Sequence, residues 1–530
     1  MLALTLSFAA VAAAAAAPQL PPRAHAARTF TRAAVPGATQ ALALLGAAPA
    51  PASGASPFAS IASVADFGAV GDGVTDNAAA FAAAIASVAT GGIVYVPSGL
   101  YSFSTTLPCA AAPGAFAASV CLTRGVSLVG TFETVPSHNM GQGGSQPVNG
   151  SILMPRAGRG SSDAASAFVF MPEDSTLRGF SVYYPEVNAS ATPVPYPYSV
   201  FMVGNNVAVQ DVELLNSYNG ISAVGAHRHY IARVQGQPAN IGIFVDATYD
   251  IGRLEDVHWN PWFSSHPAYI AWQQTQGVGF LIARSDWEYV LNTFVFAMSV
   301  GYKFVKSAVG SCNGNFVGIG ADCCANASVV VESADPWGIL VSNGEFTSFS
   351  GGFGPDTADH TQVVVSPTNA GAVRFVSSAF WGPSHMVASV SGTGSVGFES
   401  CIFNSWAAGN ATADAAVQVY GGDVLVRGSD FQSSHPGGQV HLFSGARKAI
   451  VSENLAVGPW LFTDDAPSPK HLNLVRAVAR QGAALAPCPP RASPSHPHAP
   501  PSPTLPPASP EQPGRLGMHT PVHRQKARQL

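Results

Sequence analysis

The chain has 530 residues, of which 47% are hydrophobic and only 10% charged, with 53 glycines and a formal net charge of −5. That balance fits an elongated, turn-rich β protein rather than a helical one. Within residues 57–462, 14 Lys and Arg stand against 27 Asp and Glu, near −13, so this body repels nucleic acid and disfavours an anionic substrate unless a cation bridges.

Residues 2–17 are an apolar, Ala-rich run without charge, shorter than a membrane span needs, and residues 1–17 read as a secretory signal peptide. No membrane span is expected in the mature chain. Residues 18–56 hold Arg23, Arg28 and Arg32 and no acid, and read as a disordered leader or propeptide. Secretion is the expected route, with organelle targeting through that leader as the alternative. Sequons at Asn149, Asn188, Asn326 and Asn410 agree with secretion and a glycoprotein.

The ordered body begins near Pro57. The run from Val64 to Asn77 leads into a helix-favouring stretch, Ala78–Ala89, with Phe81, Ile85 and Val88 on one face and Asp76 or Asn77 placed to cap it. The segment Gly91 to Tyr101 follows. The pattern Phe-Gly-Ala-x-Gly-Asp-Gly-x-Thr-Asp (residues 67–76), the short helix and Gly-Gly-x-Val-x-x-Pro-x-Gly-x-Tyr (residues 91–101) resemble the N-terminal signature of the pectate-lyase-like, rhamnogalacturonase/epimerase-like superfamily. The resemblance implies an all-β fold, a single-stranded right-handed parallel β-helix, with the helix as a cap over the open edges of the first coil. It does not choose a reaction, because the superfamily holds hydrolases, lyases, epimerases and phage tail spikes.

The middle of the chain points to the same fold independently. Gly220, Gly242, Gly279 and Gly301 each open an alternating run, and Gly338 echoes them. Period-two alternation after regularly spaced glycines indicates stacked strands, one per coil. On this register Ser222, Phe244, Leu281 and Lys303 share one outward level, and Val224, Asp246, Ala283 and Val305 the next. Other coils are expected within 124–215 and 328–451, so that the β-helix domain is 57–462. The Pro-, Ser- and His-rich stretch 463–530 reads as a disordered tail.

The same middle stretch concentrates acids and indoles, a composition that suits proton transfer beside stacked sugar rings. Asp286 and Glu288, bracketing Trp287, are the first candidates for catalytic acid and base, with Asp250 and Asp246 behind them. His227, Asp250 and Asp286 fall on a common turn ridge. Asp in such turns also serves local hydrogen bonding, the competing reading for Asp246 and Asp250. A long insertion after His258 is expected to rise as a loop and wall a groove. Trp259, Trp262, His266, Trp272, Trp287, Tyr289, Arg284, Lys303 and His227 are the expected substrate contacts. Neighbouring coils lie ~4.8 Å apart, which supplies either the ~5–5.5 Å of retaining or the ~6.5–9.5 Å of inverting carboxyl pairs.

Cys109 and Cys121 flank a short loop and could pair; Cys312 could pair with Cys323 or Cys324; Cys401 reads as a buried apolar residue, and Cys488 lies in the tail. No spacing indicates a structural metal, and no cofactor is expected. The Gly-His-Gly and Arg-Ile-Lys motifs of polygalacturonases are missing, so that activity is not implied. The expectation is a secreted glycoside hydrolase acting on a polysaccharide with paired carboxylates. Two alternatives stand beside it: a lyase or epimerase on a uronate polymer, with bridging Ca²⁺ and Arg284 or Lys303 as base, and a non-catalytic glycan-binding protein.

Overall fold

A computed structural model of the chain describes residues 60–131, 144–348, 360–408, 414–467 and 478–480. The expected signal peptide, the leader, Asn410, Cys488 and most of the tail lie outside these residues.

Lateral pairing of successive coils builds the fold. A short strand leaves its N–H and C=O groups pointing up and down the stack, and a strand in the next coil satisfies them. The strands form a 14-stranded and a 25-stranded sheet, and every strand pairing among the described residues but one is parallel. The chain winds as a right-handed parallel β-helix, as expected. Asn219, Ile241, Val278 and Val300 stack at one register, carrying Ser222, Phe244, Leu281 and Lys303 at the outward level read from the sequence. The repeat does not pass to Gly338. Ala327 pairs with Val300 instead, and Gly338 sits in an irregularity of the larger sheet. Strands also continue beyond residue 462, with Val478–Arg480 paired to Leu455–Val457.

One bend per coil recurs at the same level of the larger sheet. It passes from Gly179 through Asp211, Arg233, Asp256, Asn292 and Gly318 to Gly428 and Glu453, all with left-handed backbone. Asn, Asp and Gly tolerate that conformation best, which is why turn residues punctuate the alternating runs. Asp211 is held by Arg178 of the coil before and Arg233 of the coil after, at 2.9 and 2.6 Å.

Inside the coils, like stacks on like. Phe346, Phe380, Phe403 and Phe431 follow one another at 5.2, 5.5 and 4.5 Å between ring centroids, with planes within 21° of parallel. Helix α1 (Ala78–Ser87) closes the N-terminal end, laying Phe81 edge-on against Tyr101 and Phe103. The N-cap residue Asn77 makes no side-chain capping bond; Oδ1 of Asp76, one residue earlier, accepts from the Ala78 N–H. Asn77 instead uses its amide to pin Val70, Thr75 and Ser102. Gly71 and Gly99 of the motif pass so close that a Cβ on either would lie 3.0–3.1 Å from the other's Cα. Cys109 and Cys121 form a disulfide, whereas Cys312, Cys323, Cys324 and Cys401 are free and buried; the alternatives for Cys312 are therefore not realised.

The phenylalanine stack makes a stability prediction. Phe403→Ala removes the ring that touches both Phe380 and Phe431 and should cost about 3–5 kcal/mol, measured as a lowered free energy in denaturant titration; a loss under about 1 kcal/mol would mean that the stack is not what holds the late coils.

Candidate functional site

Three consecutive coils carry irregularities at one level of the larger sheet. Ser285, Cys312 and Ala334 are laterally paired, and the pairing resumes at Glu288, Gly314 and Ile339. Between those points the first coil inserts Asp286 and Trp287, the second Asn313, and the third Asp335, Pro336, Trp337 and Gly338. Bulges re-aim side chains out of a sheet and gather at functional sites. Here three in a row throw polar and aromatic groups outward together.

The first bulge decides which groups emerge. Trp287 takes a left-handed backbone, φ 55°, rare for a bulky residue. That extra residue reverses the in–out alternation that follows. Trp287 becomes 61% exposed, and Glu288 turns inward and is fully buried. Glu288 is thus not a solvent-facing catalytic group. Its Oε1 pairs with Nε2 of the equally buried His229 at 3.0 Å, and its Oε2 accepts from the Ser285 hydroxyl at 2.5 Å. The His229 ring is seated by the Ala226 carbonyl at 2.7 Å. Gly252 makes room: a Cβ there would fall 2.3 Å from Glu288 Oε2 and 2.4 Å from His229 Nε2.

The outward groups converge on Arg284. Its Nη2 lies 2.7 Å from Asp286 Oδ2 and its Nη1 2.6 Å from Asp335 Oδ2. The Asn313 amide donates to both carboxylates, at 3.1 and 3.3 Å, while its own oxygen accepts from the Trp287 N–H. Oxygens of the two carboxyl groups therefore lie no more than two hydrogen-bond lengths apart. Tyr249 lies over the Arg284 guanidinium, 5.8 Å from ring centroid to Cζ. Trp337, 78% exposed, stands two coils from Trp287, ~9.6 Å along the stack.

The remaining expected site residues divide. Asp246 is a turn former: its Oδ1 accepts from the Ala247 and Arg284 N–H groups at 2.7 and 3.0 Å, fixing the backbone that presents the guanidinium. Asp250 ends a surface ladder of turn residues, Asp174–Asn206–Arg228–Asp250, and its carboxylate pairs with Arg228 toward the preceding coil. His227 Nδ1 accepts from the Tyr249 N–H at 3.0 Å. Lys303 pairs with Glu332 at 2.9 Å on the outer face of the smaller sheet. Tyr289 is partly exposed on the strand that follows the first bulge.

Trp259 is not a groove residue. It is buried inside the coils beside Phe280, so close to the chain that a Cβ at Gly242 would meet its indole nitrogen at 2.5 Å. The long insertion also differs from expectation, since it contains helix α2 (Pro267–Gln276). His266 caps that helix, and Trp272 packs on Tyr218 at 5.6 Å. Trp262 remains exposed. This insertion precedes the strand Val278–Ile282, whereas Arg284 and Asp286 follow it. Trp262, His266 and Trp272 therefore flank the opposite end of that strand from the carboxylates. Asn313, Asp335 and Trp337 were not expected; the Asp-Pro-Trp-Gly tetrapeptide, with both Pro and Gly interrupting a strand, is the signal for them.

Among the described residues, no three His, Cys, Asp or Glu side chains gather as a metal site. Between Asp286 and Asp335, where a bridging cation would sit, the Arg284 guanidinium already lies.

Residues 61–250 match the model of the family described as rhamnogalacturonase A/epimerase, pectate lyase-like. No match is found among curated proteins. Similar solved structures include the A-module of mannuronan C-5 epimerase AlgE6 from Azotobacter vinelandii, 16% identical, with a TM-score of 0.48 over 79% of this chain and 100% of that one. A GH87 alpha-1,3-glucanase catalytic unit from Streptomyces thermodiastaticus is 15% identical, with a TM-score of 0.43 over 76% and 70%. A family 28 exopolygalacturonase from Yersinia enterocolitica is 11% identical, with a TM-score of 0.37 over 80% and 79%. At that distance none of them transfers chemistry to this chain.

The buried pair makes a pH prediction. Burial pushes the His229 imidazole down, but the Glu288 carboxylate outweighs it, and the net shift is upward from 6.5. A raised histidine stabilises the fold fully below pH 6.5 and loses that contribution as pH rises through its folded value. Unfolding midpoints of the wild type should therefore fall as pH climbs above 6.5, and His229→Gln should flatten that slope. Parallel wild-type and variant profiles would show that the imidazole does not titrate against Glu288.

Proposed function

We propose, for a parallel β-helix whose residues 61–250 are of the pectate-lyase-like family, that it is a carbohydrate-active enzyme working on a polysaccharide at the stacked bulges. The observation that carries the reading is the pair Asp286 and Asp335, held by one asparagine amide and one guanidinium between two outward tryptophans. Indole faces two coils apart offer platforms for successive sugar rings. Between them, two carboxylates at close spacing suit glycoside hydrolysis: one carboxyl protonates the leaving oxygen while the other attacks or stabilises the anomeric centre. Arg284 and Asn313 set the distance and the rotamers of the pair. Asp335 thus takes the role that the sequence suggested for Glu288.

A cation-assisted lyase fits this place less well, because Arg284 occupies the position from which Ca²⁺ would bridge the two acids. An elimination or epimerisation on a uronate would have Arg284 exchange one aspartate for the substrate carboxylate. Glycan binding without turnover is the second reading, and one observation favours it: a single guanidinium neutralises both carboxylates at once. Secretion belongs to the same proposal. The sequon asparagines at 149, 188 and 326 are all exposed, as glycosylation requires.

Incubation with neutral glucans, xylans, mannans and uronates, scoring new reducing ends against unsaturated products, separates the readings. Hydrolysis predicts reducing ends alone, with Asp286→Asn and Asp335→Asn each lowering kcat by a factor on the order of 100 or more and leaving the unfolding midpoint within a few degrees. Full turnover in either variant rules this pair out, and binding with no turnover on any polymer selects the second reading.

A further inference from the structure

A second group of titratable and aromatic side chains lies on the smaller sheet, beyond the bulges and in coils that the first site does not use. Ser389, Gln418, His441 and Thr463 stack laterally at one outward level of four consecutive strands. Their neighbours join into one connected row. His385 Nε2 pairs with Asp414 Oδ2. The other oxygen of Asp414 accepts from the Gln418 amide at 2.8 Å, and the amide oxygen of Gln418 accepts from the Tyr420 hydroxyl. Tyr420 stacks on Phe443, with ring centroids 4.4 Å apart and planes 16° from parallel; Phe443 stacks on His441 at 3.8 Å. His441 Nε2 closes the row on Asp465 Oδ2 at 2.8 Å.

This arrangement is more ordered than fold maintenance asks of an outer face. Gln418 is buried beneath the row with both ends of its amide engaged, so each hydrogen-bond direction along it is set. With Nε2 of each imidazole turned to an aspartate, Nδ1 of His385 and of His441 takes no partner among the described residues, and the phenol has lone pairs to spare. These positions lie beside a slab of stacked rings, with His385 and His441 two coils apart, ~9.6 Å along the stack. The charge is also informative. Each imidazole already has its carboxylate, so nothing positive is left over to attract an acidic polymer.

We propose that the outward row His385–Asp414–Gln418–Tyr420–Phe443–His441–Asp465 is a second glycan-binding site, selective for a neutral, hydroxyl-rich polysaccharide lying along the stack. It is separate from the bulge site and does not depend on the chemistry assigned there. Its function is to hold the polymer on the late coils of the same molecule.

Affinity electrophoresis tests it with soluble β-glucan, xyloglucan, galactomannan and polygalacturonate cast in the gel. The protein is a Trp287→Ala, Trp337→Ala double variant, which silences the first site's platforms. This variant should still be retarded by at least one neutral polymer and not by polygalacturonate. Adding Tyr420→Ala and His441→Ala should weaken the retardation about ten-fold or more in apparent Kd. Tyr420→Phe, which keeps the ring and its packing, should give an intermediate loss and serves as the check on folding. Three results would each overturn the proposal: no retardation of the double variant by any neutral polymer, equal retardation with and without the late-coil substitutions, or stronger retardation by polygalacturonate. A lowered unfolding midpoint with undiminished retardation would show that the row is structural, and also overturns it. Failure of hydrolysis at the bulges leaves these outcomes unchanged.

Discussion

Backbone pairing between successive coils is the constraint on which the rest depends. Each strand is too short to be stable alone, and its N–H and C=O groups are satisfied only by the coils above and below. Once that pairing is in place, register follows, and residues far apart in the chain become lateral neighbours. Asp286 meets Asp335 because Ser285, Cys312 and Ala334 are paired. The interior aromatic stacks and the outer polar ladders obey the same rule, one repeating along the axis in apolar rings and the other in hydrogen bonds.

The candidate site sits where the pairing is interrupted. In-register coils keep equivalent side chains in straight ladders such as Ser222–Phe244–Leu281–Lys303. The bulges break the ladder in three adjacent coils without breaking the stack, since pairing resumes at Glu288, Gly314 and Ile339. Strain at Trp287 is tolerated because the neighbouring pairs and the Asn313 side chain hold its backbone in place. The buried His229–Glu288 pair sits directly behind this place and links the bulged coil to the one two before it. A charge pair in an otherwise apolar interior costs desolvation, and its best-attested use is to fix register; that is its reading here.

The glycine steps made the stacking level of the central coils legible, because lateral pairing repeats a simple period, whereas the right-handed winding and the capping helix were legible from the N-terminal signature and its short amphipathic stretch. The candidate site was legible only in part. Asp286, Arg284 and Trp287 were identified from their density in one segment, and that density survives folding. Glu288 was misplaced because one left-handed residue inside a strand reverses the alternation, and nothing in a period-two pattern marks where that happens. Asp335 and Trp337 were missed for the related reason that Gly338 looks like a repeat glycine and is a bulge glycine. Trp259 and the α2 segment show a different limit: an aromatic loop composition does not tell a groove wall from a plug, and the distinction rests on which end of the strand Val278–Ile282 the insertion joins.

The most direct measurement is a crystal structure of the protein with an oligosaccharide cut from whichever polymer it binds or turns over. Stacked bulges as the working face require sugar rings against Trp287 and Trp337, with hydroxyls or a glycosidic oxygen within hydrogen-bond reach of Asp286 and Asp335. Sugar density confined to the far end of the strand, around Trp262 and Trp272, with the Arg284 cluster untouched, would contradict it.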